Sequence, residues 1–405
     1  MVQKIVKVLW VHAFASDPQE TASARHTSLQ KDLRASGIKI TILACKKSHL
    51  NPQRPKHLFN DHNSDFVWLP GISASRSWIL RLANITFFFL LLLFYRKKVV
   101  RDFDIVVGST PDPVAALGAF LLAKRLGKPF VLEVRDVWPE TLVKLHGIKT
   151  WNPYVLLLFR IEKILFRNSE IILTVLPEIA QHMKSLSSNS KIIYVPNYVP
   201  LDELHKLATE RTFSPSTEII YSGSITVAND IDTLLGAARI LDKRGTADRI
   251  KFSIFGDSKM LPHLKATYAD LGNVKFYKRI SREALYKKLV QSDAGVICFK
   301  KSNLYRHGIG ANKISDYLAV GLPVILGHDY SHPIDDYLAG ITVPAEDPIA
   351  LADAIENFSK MDHRGRQRLR KNATKLSRQI FSFAAFREEL VKSLVTLKQA
   401  SEFND

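Results

Sequence analysis

A glycine-rich stretch at residues 305–325, YRHGIGANKISDYLAVGLPVI, combines residue types that suit the binding of an anion. Gly308 and Gly310 permit backbone conformations that other residues resist, and Asn312 suits the N-cap of a helix. We predict that this helix ends at Gly321 and that a buried strand follows. The amino end of a helix offers unpaired N–H groups and a partial positive charge, so it attracts phosphate.

Three charged side chains in the same stretch extend this interpretation. Lys313 in the first helical turn and Arg306 before the loop add two cations. Asp316 follows Lys313 by three residues, which places both on one side of the helix, and a carboxylate there can hold a ribose diol. We interpret the stretch as a site for a nucleotide diphosphate. The structural alternative is an ordinary helix-to-strand turn with a Lys–Asp pair on the surface.

Length and charge narrow the class of protein. A chain of 405 residues predicts two domains. Of the net charge of +18, +13 lies in residues 1–200, and such a surface attracts nucleic acid, anionic lipid or phosphorylated substrates. The two cysteines, Cys45 and Cys298, are far apart, which favours a reducing compartment over a disulfide framework or a zinc site. Residues 1–11 begin directly with a strand-like run, so no signal peptide is predicted.

Strand-like apolar runs alternate with helical segments in both halves of the chain. We therefore predict an α/β protein with two Rossmann-like, doubly wound domains facing a cleft. The predicted boundaries are residues 1–198, residues 199–380, and a C-terminal helix at 381–405 that packs back on the first domain. Residues 49–84 are predicted to be irregular. The loop after the first strand lacks the glycines of a dinucleotide fingerprint, which argues against NAD.

Acidic residues follow a strand predicted at residues 129–136, PFVLEVRD. Asp136 ends this strand, and Glu140 lies one helical turn beyond it. Because parallel sheets bind ligands at the carboxyl ends of their strands, we interpret Asp136 and Glu140 as catalytic candidates. Asp136 could act in acid–base chemistry or hold a sugar hydroxyl. Its structural alternative is a helix cap.

An apolar, aromatic segment at residues 78–98 ends in three basic residues. Its unbroken apolar core, ITFFFLLLLFY at 85–95, is too short to span a bilayer comfortably. A helix of this composition with a basic end fits insertion into one leaflet of a membrane. The alternative is a buried core helix. The candidate residues for contact with a membrane or a lipid acceptor are Trp78, Phe87, Phe88, Phe89, Phe94, Arg96, Lys97 and Lys98.

Motifs of the second half, in order, resemble those of a known enzyme family. YSGSITVANDIDTLLGAARIL, FSIFGD, NVKFYKRISREALYKKLVQSDAGVICFK and NKISDYLAVGLPVI look like the nucleotide-binding half of retaining GT-B glycosyltransferases of family four. EVRDVWPE in the first half resembles the bacterial O-antigen and capsule branch, which transfers N-acetylated amino sugars. The resemblance covers most of the chain.

The resemblance assigns roles by position. It implies that Lys313 and the turn at 308–312 meet the donor diphosphate, together with Gly223 after the first strand of the second half. Asp316 takes the place of the second of two family glutamates and would hold the ribose, whereas Gly308 stands at the place of the first. Arg279 would lie by the uracil or ribose. The family's Arg and Lys after Gly223 are missing in SITVANDID, which leaves Arg306 and Lys300 or Lys301 as substitutes.

The resemblance also implies an activity. It predicts transfer of a sugar, with retention, from a UDP-sugar to a polyprenyl-diphosphate-linked acceptor at an anionic membrane surface, on the cytoplasmic face of the inner membrane. No metal and no cofactor are expected, since cations and a helix dipole neutralise the leaving diphosphate. Two alternatives stay open. One is a UDP-N-acetyl-sugar epimerase of the same fold, and the other, prompted by the charge, is a nucleic-acid-binding protein.

Overall fold

The computed structural model describes residues 5–15, 25–47, 65–73, 77–94, 102–110, 112–186, 189–200, 204 and 216–402, with only the backbone of residue 227. The chain divides into two compact units. The first unit comprises Met1–Pro196 and Phe386–Asp405, and the second unit comprises Asn197–Ala385.

A parallel sheet forms the centre of the first unit. Its strands are β1 (Val6–Val11), β2 (Ile38–Cys45), β3 (Phe66–Leu69), β4 (Ile105–Ser109), β5 (Phe130–Val134), β6 (Ile171–Thr174) and β7 (Lys191–Tyr194). Among the described residues the order is β3-β2-β1-β4-β5-β6-β7. Strands β4 and β5 are buried along their whole length, as expected for a sheet with helices on both faces. The helices are α1 (Arg25–Arg34), α2 (Trp78–Phe94), α3 (Pro113–Leu126), α4 (Trp138–Lys144), α5 (Pro153–Arg167) and α6 (Ala180–Ser185).

A second parallel sheet forms the centre of the second unit. Its strands are β8 (Thr217–Ser222), β9 (Ile250–Phe255), β10 (Val274–Tyr277), β11 (Ala294–Cys298), β12 (Val324–Gly327) and β13 (Gly340–Val343). In the part of the unit that is described, they run β10-β9-β8-β11-β12-β13. The helices are α7 (Ile231–Lys243), α8 (Leu261–Thr267), α9 (Arg282–Gln291), α10 (Asn312–Ala319), α11 (Pro333–Asp336), α12 (Pro348–Lys360), α13 (His363–Gln379) and α14 (Phe383–Glu402). The predicted fold class, two doubly wound α/β domains, is confirmed.

The strand orders fix where each unit can bind a ligand. In the first sheet the connections run outward in opposite directions from β1 and β4, and in the second sheet they do so from β8 and β11. The diverging connections leave a crevice above the carboxyl ends of these strand pairs, which is the usual ligand site of an open parallel sheet.

Residues 386–402 of helix α14 belong to the first unit, where the helix binds the first sheet at its amino ends. The Lys398 ammonium donates hydrogen bonds to the Ile5 carbonyl and to the Asp104 carboxylate, both at 2.9 Å. Ile5 precedes β1 and Asp104 precedes β4, so one side chain of α14 contacts the amino ends of two central strands.

Helix α2 is buried on one side and exposed on the other, so two of its predicted membrane contacts need correction. Phe88 is only 1% exposed and belongs to the core. Phe89 is half-buried and packs at Gly118 of α3. Trp78, Phe87 and Phe94 have fractional exposures of 69%, 36% and 71%, and their contact with a membrane stays a prediction. Arg96, Lys97 and Lys98 lie outside the described residues.

One further feature of this region differs from the sequence-based expectation. The span predicted as irregular contains β3, a four-residue strand that pairs with β2 at the edge of the sheet. Asn84 of α2 is buried, and its Oδ1 accepts a hydrogen bond of 2.6 Å from the Ile72 N–H. None of the helices among the described residues combines the length and the apolar character needed to cross a membrane.

Candidate active site

Gly223 and Lys313, which are 90 residues apart in sequence, meet above the carboxyl end of β8. A β-carbon at Gly223 would lie 3.3 Å from the Lys313 Cε. The φ of Gly223 is 142°, a conformation that L residues with a side chain rarely adopt. The backbone conformation therefore favours glycine here, and a β-carbon would also crowd the lysine side chain.

Two side chains that the sequence did not single out hold the Lys313 ammonium. Its Nζ donates to Asn229 Oδ1 at 2.8 Å and to the Tyr221 hydroxyl at 3.2 Å, and it lies 4.5 Å from the centre of the Tyr221 ring. Tyr221 in turn donates to the Ser224 carbonyl. The only sequence signal for these roles is negative: SITVANDID lacks the family's basic pair, and Asn229 supplies a neutral partner from the same loop.

Burial lowers the pKa of Lys313 to about 7. Lys313 is 9% exposed, and within the described chain no carboxylate pairs with it. An ammonium group in this position is strongly stabilised by any anion placed beside it, and a diphosphate would supply that charge.

Helix α10 is anchored to the end of β8, which explains the position of Lys313. One turn after Lys313, the buried Tyr317 hydroxyl accepts a hydrogen bond of 2.7 Å from the Ser222 N–H. The helix starts one residue earlier than predicted. Ala311 is the N-cap and makes no side-chain cap bond, so Asn312 is the first helical residue rather than the cap.

The loop before α10 turns at Gly308, which has a φ of 99° and follows the 3₁₀ helix Asn303–His307. This positive φ favours glycine at position 308, where the family resemblance implies a glutamate. The Gly310 carbonyl accepts a hydrogen bond of 2.6 Å from the Asn197 amide, which fixes the loop from the start of the second unit. Arg306 is exposed, and its guanidinium donates to the Asn303 carbonyl.

Asp316 does not pair with Lys313, contrary to the surface-pair alternative. Its Oδ1 accepts hydrogen bonds from the Tyr286 hydroxyl at 2.9 Å and from Arg282 at 3.3 Å, both on α9. Burial raises the pKa of Asp316 above its ordinary value, although the charge of Arg282 opposes this effect. The acid is thus oriented by α9 rather than by its own helix. Arg279 is exposed in the loop between β10 and α9.

Lys300 is a poor substitute for the missing family cations. Its Nζ lies 2.8 Å from both the Asp230 and the Glu346 carboxylates, so two acids already balance its charge. Lys301 donates its backbone N–H to Glu346.

Asp136 of the first unit follows β5 and lies beside the end of β4. The Thr110 hydroxyl links the two strand ends, because it donates to the Asp136 carbonyl at 3.3 Å and accepts from the Arg135 N–H at 3.1 Å. Surrounding protein raises the pKa of Asp136 to about 6, although the side chain itself reaches water. Glu140 is half-buried in the first turn of α4.

A buried polar network below Asp136 was missed by sequence analysis. Glu133 of β5 is 0% exposed and accepts hydrogen bonds from Arg25 at 2.9 Å and from the Trp10 indole at 3.2 Å. His26 lies 3.2 Å from the same carboxylate, and the Ser109 hydroxyl also donates to it. The available signal was the acidic residue inside the otherwise apolar run FVLEV.

The network keeps one negative and one positive charge inside the first unit. Burial alone would raise the pKa of Glu133, but its partners His26 and Arg25 hold that pKa well below the ordinary value. Burial lowers the pKa of His26, so Arg25 carries the compensating charge. Arg25 also donates to the Val195 and Pro196 carbonyls at the exit of β7. The network therefore connects α1, β1, β4, β5 and the segment after β7.

Two protein-family models match the sequence of this chain, one in each half. A model described as "Glycosyltransferase Family 4" matches residues 25–203, and one described as "Glycosyl transferases group 1" matches residues 216–360. The chain is a glycosyltransferase of the GT-B fold. The second match contains Gly223, Lys313 and Asp316, and the first contains Asp136, Glu133 and Arg25.

Individual proteins similar to this glycosyltransferase are distant in sequence. The probable glycosyltransferase WbjE of Pseudomonas aeruginosa is 22% identical over 275 residues, which are 64% of this chain and 67% of that protein. Sucrose-phosphate synthase from Thermosynechococcus elongatus has a TM-score of 0.75 at 15% identity, with 98% of this chain and 100% of that chain covered. Anabaena Alr3699/HepE, solved with UDP and glucose, has a TM-score of 0.65 at 11% identity, with 96% and 99% covered.

Proposed function

We propose that this glycosyltransferase moves a sugar, of the N-acetylated amino-sugar class, from a UDP-sugar to a polyprenyl-diphosphate-linked acceptor with retention of anomeric configuration. The observation that carries the proposal is the Lys313 ammonium, held against Gly223 above the carboxyl end of β8. A buried cation at this point in a doubly wound unit suits a diphosphate, which is the leaving group of such a reaction.

The donor site follows from the same geometry. The diphosphate lies by Lys313, Gly223 and the backbone of the 308–312 loop, where the amino end of α10 adds its dipole. The Asp316 carboxylate, oriented by Tyr286, accepts hydrogen bonds from the ribose diol. Arg279 and Arg306, both exposed, approach the uracil and the outer phosphate oxygens. The complex of Alr3699/HepE with UDP and glucose supports a UDP-linked donor.

The transfer step breaks the bond between the anomeric carbon and the β-phosphate oxygen and forms a bond from that carbon to an acceptor oxygen. The acceptor proton passes to the departing phosphate oxygen, and Lys313 stabilises the negative charge that develops on the diphosphate. Asp136 and Glu140 orient the acceptor hydroxyl. The exposed side of α2, with Trp78, Phe87 and Phe94, docks on the cytoplasmic leaflet where a polyprenyl carrier resides.

A nucleotide panel tests the donor assignment. We expect UDP and UDP-N-acetyl sugars to raise the thermal unfolding midpoint, with a stabilisation of about 2.7 kcal/mol at a concentration one-hundredfold above Kd. UMP should act much more weakly, because it lacks the second phosphate that Lys313 recognises. Asp316→Ala should weaken UDP binding about tenfold and abolish the preference for UDP over 2′-deoxy-UDP, since one ribose hydrogen bond is lost.

Tyr286→Phe is the matched control for this panel, because it removes a donor to Asp316 and leaves the carboxylate in place. Absence of any shift with UDP, GDP or ADP would refute the diphosphate site. Unchanged UDP affinity in Asp316→Ala would refute the ribose assignment alone.

Replacement of Asp136 by asparagine should separate transfer from donor binding. We expect UDP affinity to stay unchanged and the transfer rate to fall by roughly 10²-fold, since a positioned carboxylate is lost. The pKa of Asp136 is raised to about 6, and the ionised form is the active one. Wild-type kcat/KM for the acceptor should therefore rise with pH through about 6, and the variant should lack that rise.

Product analysis in the same assay distinguishes the epimerase alternative. Release of UDP only when acceptor is present supports transfer, whereas release without acceptor, with the sugar inverted at C2, supports epimerisation.

Full transfer activity of the Asp136→Asn variant would remove Asp136 from the candidate site.

A further inference from the structure

Helix α5 of the first unit exposes a second set of large apolar side chains that the sequence analysis did not single out. Trp151, just before the helix, is 73% exposed, and Leu156 and Leu157 are 47% and 49% exposed. Phe159 and Ile164 continue the exposed side. Single exposed apolar residues are ordinary, but a contiguous group of this size on one helix indicates an interaction surface.

Helices α2 and α5 lie on the same face of the first sheet. The connections β3 to β4, β4 to β5 and β5 to β6 all run in one direction across the sheet. Right-handed crossovers then place α2, α3 and α5 on one side. Helix α3 packs against both α2 and α5, so it lies between them and their outer sides share one surface.

Charge identifies the partner that this surface suits. The outer side of α5 carries Arg160, Lys163 and Arg167 in its second half, beyond the apolar residues of its first half, and α2 contributes the exposed Arg81. Within α2 and α5, which are described throughout, the one acidic residue is Glu162. It is buried and bonded to His182 at 2.9 Å, so it does not oppose the positive charge at the surface.

We infer that α5 and α2 together form a two-helix surface that binds an anionic phospholipid bilayer. Trp151, Leu156 and Leu157 enter the interface, where tryptophan is favoured. Arg160, Lys163 and Arg167 extend their alkyl chains along the apolar layer and meet lipid phosphates. The inference rests on the proposed function, in which α2 docks on the membrane. It adds a second docking helix and names the basic side chains that meet the anionic headgroups.

Vesicle sedimentation tests this inference with the full chain. The vesicles contain phosphatidylethanolamine with phosphatidylglycerol, or phosphatidylcholine alone. We expect the triple variant Trp151→Ser, Leu156→Ser, Leu157→Ser and the double variant Lys163→Glu, Arg167→Glu each to bind the anionic vesicles about tenfold or more weakly. Wild-type protein should prefer the anionic vesicles, and salt should reduce this preference.

A matched control separates the effect of position from the effect of net charge. Lys275→Glu with Lys278→Glu makes the same change in net charge at exposed positions of the second unit and should leave vesicle binding unchanged. All of these residues are exposed, so the variants should keep the wild-type circular dichroism spectrum and the same stabilisation by UDP.

The outcomes separate this inference from the proposed function. If the α5 variants bind like wild type while Trp78→Ser with Phe87→Ser does not, α5 has no docking role and the proposal for α2 stands. If the wild-type protein is a dimer that the triple variant converts to a monomer, a second copy covers this surface and the inference is wrong. If the wild-type protein fails to transfer sugar from a UDP-sugar to a water-soluble, short-chain acceptor, that result would instead count against the proposed function.

Discussion

Replacing Lys313 by methionine is expected to reduce kcat/KM for the UDP-sugar by about two to three orders of magnitude. Methionine fills a similar volume beside Gly223 but offers no charge to the diphosphate. The pH profile of the wild type adds a second test. The pKa of Lys313 is lowered to about 7, and the charged form is the one that binds, so kcat/KM should decline as pH rises above about 7. The variant should show no such decline.

The same substitution should change the pH dependence of stability in a defined direction. The folded-state pKa of Lys313, about 7, lies below the ordinary lysine value of 10.5, so the unfolded chain binds the extra proton between these values. Stability of the wild type therefore rises with pH across this window. Lys313→Met should lack this contribution. Urea unfolding followed by circular dichroism at several pH values measures it. If the free energy of unfolding changes with pH by the same amount in the two proteins, burial does not lower the pKa of Lys313.

Tyr221→Phe and Asn229→Ala are the controls for position rather than charge. Each leaves the ammonium in place and removes one of its two hydrogen-bond partners. We expect a smaller loss of kcat/KM than for Lys313→Met and a preserved pH dependence. A wild-type rate in Lys313→Met would contradict the donor site as a whole.

Replacing Glu133 by glutamine is expected to destabilise the first unit by about 3–5 kcal/mol. The change leaves Arg25, which is 3% exposed, without its carboxylate. Because the folded-state pKa of Glu133 is depressed, its contribution is present above the ordinary glutamate pKa and is lost as pH falls through the folded value. The difference between wild type and variant should therefore shrink in acid.

Tryptophan fluorescence follows this transition selectively, because all five tryptophans belong to the first unit. Asp102→Asn is the matched control. Asp102 forms an exposed ion pair with Lys7 in the same unit, and its loss should leave the urea midpoint unchanged. A Glu133→Gln variant that unfolds at the wild-type urea concentration would show that the network does not stabilise the unit.

The fold was predictable because buried parallel strands are continuous apolar runs, and such runs stand out in both halves of the chain. The edge strand β3 was missed because four residues inside a polar stretch give no periodic signal. The two sides of α2 could not be separated for a related reason. Phe87 and Phe88 are identical in type, and only the packing of α2 in the folded unit decides that one is exposed and the other buried.

The candidate site was predictable where one local stretch carries the chemistry and not where distant residues meet. Lys313 and Gly223 were identified singly from their motifs, whereas the partners of Lys313 depend on how α10 lies over β8. The Glu133 network is a further example, since its members come from four elements separated by up to 123 residues. Burial turns these ordinary side chains into an ion pair, and burial is not visible in a sequence.

The bond from Lys398 to Ile5 and Asp104 has a consequence for biosynthesis. A ribosome makes all of the second unit before residue 398 emerges, at about 5–20 residues per second. For many seconds the nascent first unit must therefore exist without its last helix, with the amino ends of β1 and β4 open to other polypeptides.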